Sequence, residues 1–245
     1  MANPFSTTVH RPWPAPDRPW VMAQRWHELL FAHWQVPATA LRPLIPPRLT
    51  LDTFEGLAWV GVVPFRMSGV RLRGTPAMPW LSAFPELNVR TYVTYEGKAG
   101  VWFFSLDAGN ALAVAVARAW FHLPYFRARM QSEPRSGWIE YESARAHRSA
   151  ARLSVRYRGT GDEWIPREGT LAHWLTERYC LYAEDGRANI FRGEIHHPPW
   201  KLREAEAEFT ENTMTAGLGI ELPAEKPVLY FVERQDMVAW APVRC

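Results

Sequence analysis

Glu86-Leu87-Asn88-Val89-Arg90-Thr91-Tyr92-Val93-Thr94-Tyr95 alternates, for most of its length, between polar and apolar side chains. Successive side chains of a strand point to opposite faces, so Glu86, Asn88, Arg90 and Tyr92 share one face and Leu87, Val89, Thr91 and Val93 the other. Residues 96–100 read as a turn and 101–106 as the returning strand, which makes 86–106 a β-hairpin. On the pattern alone the polar row has two readings. It faces water on a half-solvated sheet, or it lines the polar inside of a closed barrel. A buried carboxylate or guanidinium costs several kcal/mol unless it is paired, so a chain that turns this row inward does so to bind something polar. Residues two apart on a strand lie about 7 Å apart, so the row can span a small ligand.

Outward from the hairpin, residues 57–67, 138–144, 152–158, 189–195 and 228–240 read as strands, and so does 171–182 with its Leu-Thr-Glu-Arg-Tyr-Cys-Leu-Tyr stretch. Residues 25–36 fit both a helical stripe (Trp26, Leu29, Leu30, His33, Trp34) and a buried strand. Residues 38–44 read as a short helix, 69–79 as a loop, and 205–217 as strand mixed with a short helix. Ala-rich 110–121 is the one main helix, with Asp107 or Asn110 as cap and Pro124 beyond its end. The fold class is mainly β with few α: an antiparallel, barrel-like single domain over 21–245 with its helix outside. A Pro-rich N-terminal arm, 1–20, precedes it and lies along the surface, with Trp13 and Trp20 to pin it.

Composition narrows the function classes. Of 245 residues, 47% are hydrophobic and 22% charged, which excludes a disordered chain, a coiled coil and a collagen-like repeat. Net charge is only +3, and the basic run from Arg127 to Arg158 is broken by Glu133, Glu140 and Glu142. It reads as a solvated sheet face, with no nucleic acid as partner. Cys180 and Cys245 give neither a disulfide framework nor a zinc pattern. No apolar run is long enough for a membrane helix, the arm lacks a signal-peptide core, and a cytoplasmic location follows by default. Arginine dominates the cations, with lysine only at Lys98, Lys201 and Lys226.

P-loop, GxGxxG, CxxC, HExxH and GxSxG signatures are all absent. Beyond the hairpin row, Glu177 and Arg178 read as strand neighbours on opposite faces, so only one of them joins a cavity. His196 and His197 also face opposite ways, which disfavours a shared metal even with His33 or Glu86 added; one of the two lines a pocket or both serve a structural turn. Ser105, Asp107 and His33 have no spacing that supports a hydrolytic triad.

Several segments in order carry a family resemblance: Trp26-His27-Glu28-Leu29-Leu30-Phe31-Ala32-His33-Trp34, Ala40 to Pro46, Ala58-Trp59-Val60-Gly61, Glu86 to Val93, Gly100 to Asp107, Leu123-Pro124-Tyr125, and Ile195 to Trp200. Over roughly residues 20–242 the chain resembles the YqjF-like uncharacterised branch of the acetoacetate decarboxylase-like superfamily. The resemblance implies a closed, mostly antiparallel barrel or cone with one main outer helix around an internal pocket. True acetoacetate decarboxylases form a Schiff base through one of two adjacent lysines. The matching positions here are Tyr125 and Phe126, so the nucleophile is missing. The resemblance also matches Glu86 to a pocket glutamate and turns the polar row inward. It implies Glu86 and Arg90 as catalytic residues, with Asn88, Tyr125, His196, His197, Arg178 and His33 around a small anionic or carbonyl-bearing ligand. No cofactor and no metal are expected, the partner is a small molecule, and a homo-oligomer stays open.

Overall fold

The alternating stretch is a strand buried on both sides, and the sheet is built outward from it. The computed structural model describes residues 5, 7–77, 83–110, 122–146 and 151–245. Its strands are β1 (Met22–Val36), β2 (Thr50–Leu51), β3 (Ala58–Leu72), β4 (Phe84–Tyr95), β5 (Lys98–Ala108), β6 (Tyr125–Arg135), β7 (Trp138–Arg145), β8 (Arg152–Trp164), β9 (Cys180–Glu184), β10 (Ile190–His196), β11 (Leu202–Asn212), β12 (Val228–Ala239) and β13 (Val243–Arg244). Helix among the described residues is limited to α1 (Ala38–Leu41), α2 (Leu171–Thr176) and two single 3-10 turns. The main helix expected over 110–121 falls almost wholly outside the described residues. No helix among the described residues is long and apolar enough to cross a membrane.

One sheet closes on itself twice. From β5, hydrogen-bonded neighbours run through β9, β10, β12, β1, β3 and β4 back to β5. A second circuit runs from β5 through β6, β7, β8 and β11 to β12, and returns along the same β1, β3 and β4. Pairing is antiparallel except where β5 meets β6 and β9. The two rings therefore share a wall, and β4 belongs to it. The hairpin closes through Glu96 and Gly97, both at positive φ (50° and 74°), the backbone of a two-residue primed turn.

The second ring holds an apolar core. Leu87 and Val89 of β4 meet Val60, Val62, Tyr141, Val155, Tyr157 and Phe231. Phe231 fits only because residue 159 is glycine: a Cβ there would sit 2.4 Å from its ring. Outside this ring, Arg156–Glu208 (2.7 Å) and Arg158–Glu206 (2.6 Å) pair across strands, and both arginines stack on Trp138. The last two arginines of the basic run are thus ion-paired on the sheet surface.

Two bulges decide the other ring. At Glu28 (φ 51°) β1 gains one residue relative to β3 between His27 and Ala32. The parity of its inward face then switches from Met22, Gln24 and Trp26 to Leu29. That switch puts Trp26 and Leu29 three apart on one face, which is why the stretch also fits a helical stripe. At Gly69 (φ 62°) β3 gains a residue in the same way, so Val63, Phe65 and Met67 are followed inward by Val70 and Leu72. Strand therefore continues where a loop was expected.

One further expectation is corrected. Residues 171–176 are helix rather than strand: the Thr170 hydroxyl caps the N–H of His173 (3.4 Å), and strand begins only at Cys180. Tyr125–Arg135 is also strand, despite Pro134, with Arg127, Arg129, Gln131 and Glu133 on its exposed face.

Candidate functional site

Inside the first ring the polar face of β4 meets a cavity of about 190 Å³. Glu86, Asn88 and Arg90 line it at alternate positions, joined by Tyr125, Arg178, Thr176 and His197 and by a larger set of apolar side chains. Burial is deep: Glu86 is 2%, Asn88 5%, Arg90 9% and Arg178 5% exposed. One strand thus serves a dry core with its odd residues and a cavity with its even ones.

At one level sits the Glu86–Tyr125 pair. Tyr125 is the first residue of β6, held beside Leu106 by the parallel β5–β6 pairing, and its hydroxyl donates to the Glu86 carboxylate at 2.9 Å. Tyr141, from the packed ring, donates to the Glu86 backbone carbonyl at 2.7 Å. Burial pushes the Glu86 carboxyl up to about 8, opposed by the Tyr125 bond and reinforced by the Asp107 carboxylate. Asp107 is held by Arg145 in a two-pronged ion pair (2.7 and 3.1 Å), and Arg145 lies 4.1 Å over the Phe126 ring. Burial and Glu86 together push the Tyr125 phenol well above its usual range.

At the other level two guanidiniums converge on Tyr92. Arg178 donates to Asp52 (2.6 Å) and to the Trp174 carbonyl (2.7 Å), and stacks on Tyr92 and Trp174. Its Nη2 is buried without a partner. Arg90 packs against Phe31 (5.0 Å) and Tyr92 (5.6 Å) and reaches the Leu175 carbonyl only at 3.4 Å. Its Nε is buried and unpartnered, as is Asn88 Oδ1, and among the described residues Arg90 has no carboxylate in ion-pair range.

The histidines divide. His197 lines the cavity, stacked on Tyr179 at 4.6 Å, with Nδ1 2.8 Å from the Pro198 carbonyl; burial pushes its pKa down. His196 turns away and stacks on His10 at 5.4 Å; burial, then Arg11, brings it down to about 4. His33 stands behind the wall. Its Nε2 meets the Tyr92 hydroxyl at 2.6 Å, which donates onward to the Leu175 carbonyl at 2.7 Å. Burial, then Arg90, holds His33 well below its usual range, so the imidazole is neutral. Residue 61 must be glycine for this: a Cβ there would lie 2.8 Å from His33 Nε2.

The triad does not form, since Asp107 is committed to Arg145 and His33 to Tyr92. Nor does any group of three His, Cys, Asp or Glu residues suited to a metal occur among the described residues. Lys98 pairs with Glu194 (3.5 Å), Lys201 with Glu163 (3.4 Å), and Lys226 is exposed; none lines the cavity. Lys98 opens β5 and is half-buried, rather than solvated in a turn.

Sequence reasoning missed how the arm is fastened. The Arg11 side chain is fully buried and pairs with Glu194 at 2.9 Å, and Trp13 Nε1 donates to the same carboxylate at 2.8 Å. His10 adds a contact from Nε2 to the His197 carbonyl at 2.9 Å. A lone arginine among prolines carries no sequence signal for this. Glu177 also has a positioning role: it accepts from the Tyr179 hydroxyl and from the Trp200 N–H (2.9 Å).

Comparisons with known proteins agree with this architecture. The profile of the DUF2071 family, described as an uncharacterised conserved protein, matches residues 23–236. The uncharacterised protein YqjF of Bacillus subtilis (strain 168) is 46% identical over 229 residues, covering 94% of each chain. Among solved structures, acetoacetate decarboxylase from Legionella pneumophila superposes with a TM-score of 0.62 at 12% identity, over 97% of this chain and 93% of that one. The enduracididine biosynthesis enzyme MppR, complexed with pyruvate, gives 0.64 at 11% identity, over 93% and 91%. At such identities these two show a common fold, of the acetoacetate decarboxylase-like type.

Proposed function

We propose, from the premise that the chain belongs to the DUF2071 family of uncharacterised conserved proteins, that the cavity binds a small organic anion bearing a carbonyl and that Glu86 moves a proton on it without a covalent imine. The carrying observation is Arg90, a buried guanidinium with no carboxylate partner among the described residues. Leaving such a charge uncompensated is strongly unfavourable, and a ligand carboxylate would supply the missing partner through charge-assisted hydrogen bonds. The unpartnered Nη2 of Arg178 offers a second donor.

Glu86 suits proton transfer. With its pKa near 8, it is largely protonated at neutrality and can donate to a carbonyl oxygen; its conjugate base is strong for a carboxylate. In enolisation the C–H bond next to the carbonyl breaks, its electron pair shifts to form the C=C bond, the carbonyl pair moves onto oxygen, and the proton passes to Glu86 in its carboxylate form, the minority form at neutrality; the protonated form returns it in the reverse step. Arg90 would hold the developing oxyanion or the carboxylate, and Tyr125 would fix the orientation of Glu86. No lysine lines the cavity, which supports a route without an imine. MppR, whose structure holds pyruvate, supports the size of the reacting portion.

Thermal denaturation with pyruvate and acetoacetate tests binding. At a hundredfold excess over Kd the ligand adds about 2.7 kcal/mol, which is a Tm rise of roughly 5–10 °C at this chain length. Arg90→Met abolishes the rise. In D2O, wild-type protein exchanges the ligand's α-hydrogens and Glu86→Gln does not. A rise that survives Arg90→Met refutes the anion site. Binding with no exchange leaves a non-catalytic binding barrel, and a borohydride-trapped adduct overturns the imine-free route.

A further inference from the structure

The cavity is sharply uneven along its length, and the register of the strands fixes the order. Arg90 pairs with Gly61, Asn88 with Val63, Glu86 with Phe65 and Phe84 with Met67. Beyond the Gly69 bulge, Leu72 pairs with Met22, which pairs in turn with Ala239. Reading along β3, the levels run from guanidinium, through amide and carboxyl, to Met67, Phe84, Met22 and Leu72, all cavity-lining. Exposure follows the same order: Val63 is 0%, Phe65 3%, Met67 5% and Leu72 46% exposed. The charged level is thus the buried end and the apolar level leads outward. From Arg90 to Phe84 is six residues, about 20 Å of strand.

A three-carbon keto acid seated on Arg90 leaves this outer stretch unmet. Its walls are mostly hydrocarbon and sulfur, with Gln24 a polar exception whose amide is turned to Met237 Sδ (3.9 Å), and apolar surface of this kind gains only by meeting apolar surface. The bulges at Glu28 and Gly69 bear on the same point. Each costs a ladder position, and each keeps apolar side chains turned inward past the carboxyl level, where unbroken alternation would turn them out.

We infer that the ligand class is an amphiphilic monocarboxylic acid: a carboxylate at Arg90 and Arg178, and an unbranched apolar chain running past Glu86 between Met67, Phe84 and Met237 toward Leu72. This rests on the anion site proposed above and adds the tail, its direction and its length. It makes Met67 and Met237 specificity-determining residues, and methionine suits a wall that must follow a flexible chain.

The test is calorimetric titration of wild-type protein with acetate, butanoate, hexanoate, octanoate and decanoate, with decan-1-ol as the uncharged control. Each methylene buried should tighten Kd by up to about fourfold, so octanoate binds on the order of a hundredfold, and at most about 250-fold, more tightly than butanoate. Decan-1-ol and the Arg90→Met protein lose most of that affinity. Met67→Trp shortens the optimum chain by several carbons; Met237→Trp does the same from the facing strand and serves should the first variant fail to fold. Short acids that bind through Arg90 with no gain along the series overturn the tail and leave the anion site standing. A chain-length gain that is indifferent to Arg90→Met overturns the orientation. No binding by any acid removes both.

Discussion

The Glu86 carboxyl makes folding stability depend on pH in a direction opposite to that of an ordinary paired carboxylate. In the unfolded chain it titrates at its usual value, 4.5; in the folded protein burial holds it near 8. Between those values the native state binds the extra proton, so stability is full below about 4.5 and falls as pH rises through 8. At about 1.4 kcal/mol per pH unit, the loss across the window is on the order of 5 kcal/mol. With a urea m-value of about 3 kcal/mol/M, that moves the midpoint by roughly 1.5 M. His33 and His197, whose pKa values burial lowers from 6.5, act in the opposite sense in the acidic part of that range. The quantity to read is therefore the difference between wild-type protein and Glu86→Gln, in which both histidines cancel. Urea unfolding at pH 5, 6, 7, 8 and 9 gives that difference. The variant gains on wild type at each step and is several kcal/mol more stable at pH 9. Parallel curves, or a variant that loses ground as pH rises, refute a neutral buried acid at this position.

Other perturbations follow from the same geometry. Tyr125→Phe removes the bond that restrains the Glu86 pKa, so the fall in stability still sets in near the unfolded value but runs on to higher pH than in wild type; an unmoved curve contradicts the pairing. Asp107→Ala strands the Arg145 guanidinium, whose side chain is 9% exposed, and costs about 3–5 kcal/mol by urea titration, less when Arg145 is replaced as well. Gly61→Ala drives a methyl against His33 and costs about 1–3 kcal/mol, with hydrogen exchange at Tyr92 accelerating. Arg11→Ala leaves Glu194 with Lys98 and Arg192 but loosens the arm, so limited proteolysis cuts within residues 7–20 sooner while the rest of the chain stays intact.

Much of this arrangement is legible in the sequence, and the failures have physical causes. β4 obeys strict alternation because the register shift between Val89 and Arg90 puts its extra residue on β5, so the common face of Glu86, Asn88 and Arg90 can be read directly. Its inward orientation cannot, because both faces of the strand are buried and a polar row reads the same in water or in a cavity; only the family resemblance favours the cavity. Residues 25–36 resist assignment because one extra residue at Glu28 converts period two into an apparent period nearer three and a half. The stretch at 171–182 misleads because α2 is one short turn and a half, held by a threonine cap and too brief for its own periodicity. Neither the Arg11–Glu194 pair nor the Arg178–Asp52 pair has a local signature, since their members lie 183 and 126 residues apart. Composition marks an arginine as costly to bury; only the folded chain says which acid meets it.

The party wall has an architectural corollary. Because Leu87 and Val89 anchor one chamber while Glu86, Asn88 and Arg90 furnish the other, odd and even positions of a single strand answer to separate demands. A lineage could refurnish the even positions for a new occupant and keep its masonry, since the neighbouring apolar chamber carries the weight.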